Sequence, residues 1–303
     1  MKRVARLLSA AVVIAGLSNF SIAAQEVNPL FRESKVKNYL PHMSWLEVEQ
    51  ALQRTDMAII PVGSLEQHGK HLPLGTDIYA TIETCKLIAE KTDVLVAPVV
   101  LAGLSEHHMG FPGTITLSPA TFEAVVFETA QSLIRHGVKK IMLYNGHGGN
   151  GTSVDNIVTR INQETSATAV LLNSLQTPPL KSAPEEPPYD WHAGEGETSL
   201  MLYLTRPLVD MSRAEKPVLT FPLFAQKASA EMKAEPNLEL VIGAGLFRPK
   251  DTGKKSSTRE LSEIGVVTTG DPRNATAARG KAEVDNFVQA AVKFIEAWKK
   301  LTP

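Results

Sequence analysis

The chain of 303 residues has a single cysteine, Cys85. No intramolecular disulfide can form, so the fold must rest on its own core or on subunit contacts. Cys85 sits in a helical pattern with Ile78, Ile82 and Ile88, flanked by Thr84 and Lys86. With no histidine partner beside it, it reads as a small buried apolar residue and not as a nucleophile. An excess of charge of either sign is missing as well. A net charge of −1, with 21% charged residues, leaves no electrostatic footprint for nucleic acid. An apolar run long enough for a comfortable membrane span, about 20 residues, is also lacking at the N-terminus. The run Leu7–Leu17 is shorter than that. Lys2, Arg3 and Arg6 precede it and Ser21, Ala23 and Ala24 follow, the layout of a secretory signal peptide over residues 1–24. An uncleaved anchor is the rival reading of the same residues. No cysteine lies near the cleavage site, so no lipid anchor is expected. The mature chain, 25–303, is therefore expected to be periplasmic or secreted, without a stable membrane anchor. It shows no internal repeat and no clear linker, which favours one domain.

What is present is alternation. Met57–Val62 is a short, continuous apolar run of the kind that forms a buried strand. Val94–Leu101, Lys140–Tyr144 and Thr168–Leu172 read as further strands, and Gly265–Thr269 as a last short one. Between them lie helical spacings: Trp45–Arg54 with Ser44 as N-cap, Ile78–Lys91, and Ser118–His136 with Ser118 as N-cap and Pro119 at the first position. Another helix runs from Asn150 to about Gln163, one ends near Leu204, and one spans Thr276–Lys300. Strands and helices in alternation predict an α/β fold with a mostly parallel sheet and helices on both faces. Gln176–Asp190 holds five prolines and is read as a long loop.

In such sheets ligands bind beyond the carboxyl ends of the strands. The polar clusters follow strands. Ile59–Asp77, IIPVGSLEQHGKHLPLGTD, opens apolar, breaks at Gly63, and carries Glu66, His68, His71 and Asp77. Oxygen and imidazole ligands suit Zn²⁺ and Mn²⁺. Glu66 and His68, two apart in an extended segment, face one side. Asp77 begins a helix, where a carboxylate is stabilised and could bridge two cations; plain helix capping is the alternative. After the next strand comes the Gly-rich loop Ala102–Thr116 with His107 and His108. After the third comes Asn145–Asn150, NGHGGN, a sharp turn with His147 at its apex. A phosphate-cradling loop is the rival there, but the P-loop Lys-Ser/Thr pair is missing. His192 follows the proline-rich loop and is a natural acid or base, or else a solvated loop histidine. Glu197 falls in the first turns of a helix, facing inward.

GSLEQHGKHLPLGTD, NGHGGN, HAGEGETS and GVVTTGDPRNATAARG together resemble the creatininase (creatinine amidohydrolase) family, over about Trp45 to Phe294. The resemblance implies a three-layer α/β/α fold and a hydrolase with two divalent ions, Zn and/or Mn, that cleaves amide bonds in small molecules. Members include creatininase, formamide deformylases and a peptidase that trims a redox-cofactor precursor. Hexamers or other ring-like homo-oligomers are typical. Glu66, His68, Asp77 and His147 match the metal ligands, with Asp77 as the bridge, and His192 matches a proton donor. Creatininase proper has a further Glu two residues after the motif histidine, where this chain has Gly149, and an aromatic residue where it has Gly148. Glu197 is the expected replacement ligand, which leaves Glu195 as the better proton relay. His107 is a candidate for binding substrate. The implied reaction is attack on an amide carbonyl by a hydroxide held between the two ions. A peptidase acting on a short peptide, or a metal- or solute-binding relative without catalysis, are the competing readings.

Overall fold

The computed structural model describes residues 27–33, 35–178, 187, 189–220, 227, 231, 234–238, 240 and 258–301. The signal segment expected over 1–24, and most of the proline-rich loop, lie outside the described residues.

Four strands form one parallel sheet: β1 (Met57–Val62), β2 (Leu95–Val96), β3 (Lys140–Asn145) and β4 (Thr168–Leu171), in the order β2-β1-β3-β4. β1 is central and every residue of it is buried. Its alternate side chains divide between two cores, as the period of two requires. Ala58, Ile60 and Val62 join Ile141 and Leu143 of β3 on one face, under α1 (Trp45–Leu52), α3 (Pro119–Arg135) and α4 (Gly151–Glu164). Met57, Ile59 and Met142 point the other way, into α2 (Thr76–Lys91), α5 (Glu195–Leu204) and the long helix before the C-terminus. The expected three-layer α/β/α arrangement with a mostly parallel sheet is thus what the chain forms. Cys85 is buried in the second core, as expected, and burial raises its thiol pKa.

Three α-helices start at a capping side chain, α1, α3 and the long helix before the C-terminus. The Ser44 side chain accepts from Glu47 N while Glu47 reaches back to Ser44 N, a complete capping box. Ser118 caps α3, with Pro119 in the first turn. α6 (Thr258–Leu261) is a single turn, and Thr276 caps α7 (Ala277–Lys299).

Two strand expectations are corrected. The second strand was read as Val94–Leu101 but is only Leu95–Val96. Pro98 has no N–H for the ladder, and beyond it Val100 returns only as an isolated bridge to Val62. The last strand, β6 (Val267–Thr268), does not join the main sheet. It pairs antiparallel with β5 (Asp190–His192), a segment read as the end of a loop.

α5 and α7 cross with little room between them. A Cβ built on Gly280 of α7 would lie 1.9 Å from Ser199 O and 2.4 Å from Ser199 C. Both are backbone atoms and cannot rotate away. Gly280→Ala should therefore push α7 off α5, at the upper end of the roughly 1–3 kcal/mol that overpacking costs, with a Tm lower by about 5 °C or more. A thermal melt within about 1 °C of the parent would contradict this packing.

Candidate metal centre

The carboxyl ends of β1 and β3 deliver the cluster. Past Val62 the chain carries Glu66 and His68 across the sheet edge and reaches α2, where Asp77 is the second residue. Past Asn145, β3 runs into His147. A Cβ on Gly146 would lie 1.9 Å from Thr81 Oγ1 and 2.7 Å from Asp77 O. Only bare backbone lets the end of β3 come this close to α2, and that approach sets His147 beside Asp77.

Asp77 lies between two imidazoles. Its Oδ1 is 3.0 Å from His68 Nε2 and its Oδ2 is 3.2 Å from His147 Nδ1. Glu66 Oε1 is 3.2 Å from the same His147 nitrogen. On the far side, Glu197 Oε2 stands 3.6 Å from His68 Nε2. It accepts from Ala193 N at 2.6 Å, a backbone group held by the left-handed φ of +52° at Ala193.

Three histidines share one arrangement. His68 Nδ1 is 3.1 Å from Glu66 O, His147 Nε2 is 3.3 Å from Leu104 O, and His192 Nε2 is 2.6 Å from Gln67 O. A carbonyl only accepts, so each of these nitrogens carries hydrogen. The opposite nitrogen of each ring is then turned toward the carboxylates. A metal-ligating histidine is oriented in this way. His192 Nδ1 is the most distant, 3.8 Å from Glu66 Oε1.

The electrostatics follow from charge taken out of water. Burial pulls the His68 imidazole down, but Asp77 and Glu197 outweigh it and push it up to about 10. His147 is likewise raised well above its ordinary value, burial being overcome by the carboxylates of Asp77 and Glu66 beside it. Burial pushes Asp77 up, and the two histidines together hold it below the usual carboxylate range. Glu66, pressed upward by burial and by Asp77, is brought down by His147 and His192. Burial raises Glu197 to about 7. It also lowers His192 to about 3, helped by His68, and His107 to about 4.

Two buried atoms, Glu66 Oε1 and Asp77 Oδ2, have no hydrogen-bond partner. Buried carboxylate oxygens normally have one. Both face imidazole nitrogens that can give up their protons, and that donor set fits a divalent cation. Among the described residues, three groups offer ligand atoms within 4.8 Å of one another: Glu66, His68 and His192; Glu66, His107 and His147; His68, Asp77 and Glu197.

The structure therefore brings together Glu66, His68, Asp77, His147, His192, Glu197 and His107. The His107 ring lies parallel to that of His147, with centroids 5.7 Å apart. Glu195 is not brought in. Its Oε1 accepts from Asp271 N at 3.0 Å and its Oε2 lies 3.7 Å from Arg279. That carboxylate anchors the start of α5 to the loop before α7, which corrects the expectation that it relays protons. Gly149 is also explained. A Cβ there would lie 2.4 Å from His147 Nε2 and 2.5 Å from Leu104 O, so no glutamate fits while His147 holds this position. Glu197 instead stands with His68 and Asp77.

Sequence reasoning missed three residues. Gln67 Oε1 accepts from Gly69 N and its Nε2 donates to Gly265 O, each at 3.0 Å. Gln67 Nε2 must then also be the donor to His108 Nδ1 at 3.0 Å, where Thr258 Oγ1 lies at 2.8 Å. The His108 proton is thereby placed on Nε2, 3.3 Å from Glu66 Oε1. The third is Ser105, which donates to Glu66 Oε2. Apart from Gly69, their partners lie 39 to 198 residues away, a distance that no local pattern spans.

A parallel sheet between two helical layers, with carboxylates and oriented imidazoles gathered at its carboxyl edge, makes this an α/β/α protein with a candidate metal centre. The family profile described as creatinine amidohydrolase matches residues 41–295, and the chain belongs to this creatininase family. A mycofactocin precursor peptide peptidase of Mycolicibacterium smegmatis is 30% identical over 250 residues, covering 80% of this chain and 85% of that protein. A creatinine amidohydrolase of Pseudomonas putida is 30% identical over 204 residues, 61% of this chain and 78% of that one. Solved creatininases share the fold. A manganese form has a TM-score of 0.64 at 22% identity, over 88% of this chain and 100% of that one. A Zn–Zn mutant form has a TM-score of 0.65 at 23% identity, over 88% and 99%.

Proposed function

We propose that this protein is a divalent-metal amidohydrolase that cleaves a C–N bond in a small amide. The single observation that carries the proposal is the orientation of His68 and His147: each gives one nitrogen to a backbone carbonyl and turns the other onto Asp77. His68, Asp77 and Glu197 would hold one ion, and Glu66, His147 and Asp77 the other. Manganese and zinc suit this donor set and occur in the solved creatininases. Ions at such a site supply a water nucleophile at neutral pH and a Lewis acid for the carbonyl. The protein's own groups do the rest. Glu197 keeps 32% of its side chain exposed, which makes it the carboxylate of the cluster nearest solvent. His192 is fixed through Nε2, which leaves Nδ1 to take up a proton and pass it to the leaving nitrogen. His107 lines the site beside His147 and is the candidate substrate contact.

A short peptide is the second reading of the substrate. It is favoured by the absence of creatininase's aromatic and acidic residues at Gly148 and Gly149, and by the peptidase relative's wider cover of this chain. Protein reloaded with Mn²⁺ or Zn²⁺ and assayed on creatinine, other small amides and short peptides should hydrolyse at least one class. No hydrolysis of any by fully loaded protein would leave a binding relative. His192→Ala should lower kcat about 10²–10⁴-fold with metal content retained; an unchanged kcat removes His192 from proton transfer.

Export is proposed on the basic, apolar and small residues of the first 24 positions. The exported protein should begin at Ala24 or Gln25 on N-terminal sequencing. Retention of Met1 on the exported protein would contradict cleavage.

A further inference from the structure

Glu66 and Asp77 are the two buried carboxylates at the heart of the cluster, and their oxygens are treated differently. Both oxygens of Asp77 face imidazoles, Oδ1 toward His68 and Oδ2 toward His147. Glu66 is split. Its Oε1 faces ring nitrogens of His147 and His108 at 3.2 and 3.3 Å and has no hydrogen-bond partner. Its Oε2 accepts from Ser105 Oγ at 2.5 Å. The Ser105 proton is committed to that bond. In the hydroxyl pair between Ser64 and Ser105, Ser64 is therefore the donor.

We propose that Ser105, backed by Ser64, is a positioning residue that ties down Glu66 Oε2 and so offers Oε1 alone to the cation. The inference rests on the metal site proposed above.

Both serines are fully buried, so no water competes for the carboxylate. Ser105 is itself held in place. Its backbone N donates to Thr116 Oγ1 at 2.9 Å, and the preceding Leu104 N donates to Asn150 Oδ1 at 2.9 Å. The same short segment supplies Leu104 O, which fixes the His147 ring. One turn of loop after β2 therefore orients two candidate ligands of one ion, the carboxylate through a side chain and the imidazole through a carbonyl. A carboxylate with one oxygen held by a hydroxyl cannot swing to chelate through both. Hydrogen bonds of this kind to a ligand commonly govern metal affinity by about 10–100-fold.

The test uses the full-length apo protein and its variants Ser105→Ala, Ser105→Thr and Ser64→Ala. Mn²⁺ is the probe, titrated with the free ion followed by electron paramagnetic resonance, and thermal melts of each apo form report folding. S105A should bind one Mn²⁺ about 10–100-fold more weakly and change the spectrum of the bound ion. S105T keeps the hydroxyl and should restore most of the affinity, and S64A should show a smaller loss than S105A. Unchanged affinity with an unchanged bound-ion spectrum in S105A overturns the inference. If S105A does not fold, S64A decides: an affinity equal to the parent's overturns the hydroxyl chain. Parent protein that binds neither Mn²⁺ nor Zn²⁺ would instead overturn the proposed function, a result separable from any serine effect.

Discussion

Asp77→Asn should abolish turnover and cut bound metal from about two ions per chain to fewer than one. The asparagine keeps the shape of the side chain but loses its charge. One of its two end atoms becomes an NH₂, which cannot donate its lone pair to a cation. Asp77 sits 3.0 Å from His68 and 3.2 Å from His147, so a single change reaches both halves of the cluster. A loss of at least about 10³-fold in kcat/KM is expected, since under the proposed function the residue would serve both the nucleophile and the developing oxyanion. No other residue tested singly should match its loss of bound metal. Glu197 touches only the His68 side, and Glu66 lies on the His147 side. Asp77→Asn with parental metal content and more than about a tenth of parental activity would sink the bridging role.

Metal affinity should rise steeply with pH. In apo protein, burial lowers the His68 imidazole but Asp77 and Glu197 push it up to about 10, and His147 is raised as well. A cation can reach His68 Nε2 or His147 Nδ1 only by displacing a proton. Each half should therefore tighten about tenfold per pH unit, or roughly a hundredfold between about pH 6 and pH 8. The sign for stability is opposite in the apo form. The unfolded pKa of histidine is about 6.5, so the raised pKa of His68 adds stability that is fully present below that value. This stability fades as pH climbs toward about 10. The increase in Tm on adding metal should consequently grow with pH across that window. Kd values that do not change between about pH 6 and pH 8, in buffers that do not bind metal, would mean the imidazoles are not ligands.

Much of this was legible in the residues. β1 announced itself by an unbroken apolar run, and α1 and α3 by serine caps at Ser44 and Ser118. Glu66, His68, Asp77 and His147 could be read because each lies just past a strand end or at a helix start, where local rules apply. Apart from β2, cut short before Pro98, the failures share one cause. Whether Glu195 or Glu197 faces the cluster depends on Asp271 and Arg279, about eighty residues on. The pairing of β5 with β6 joins Asp190 to Thr268. His108 gains its role only from Thr258 and Gly265, through Gln67. Three-dimensional neighbours decide these points, and periodicity carries no record of them.

The central claim is that two cations meet at Asp77. Anomalous diffraction from crystals equilibrated with Mn²⁺ or Zn²⁺ tests it most directly. The account predicts one peak shared by His68, Asp77 Oδ1 and Glu197, and a second shared by Glu66 Oε1, Asp77 Oδ2 and His147. Peaks that lie elsewhere on the chain, with none bonded to Asp77, would contradict it.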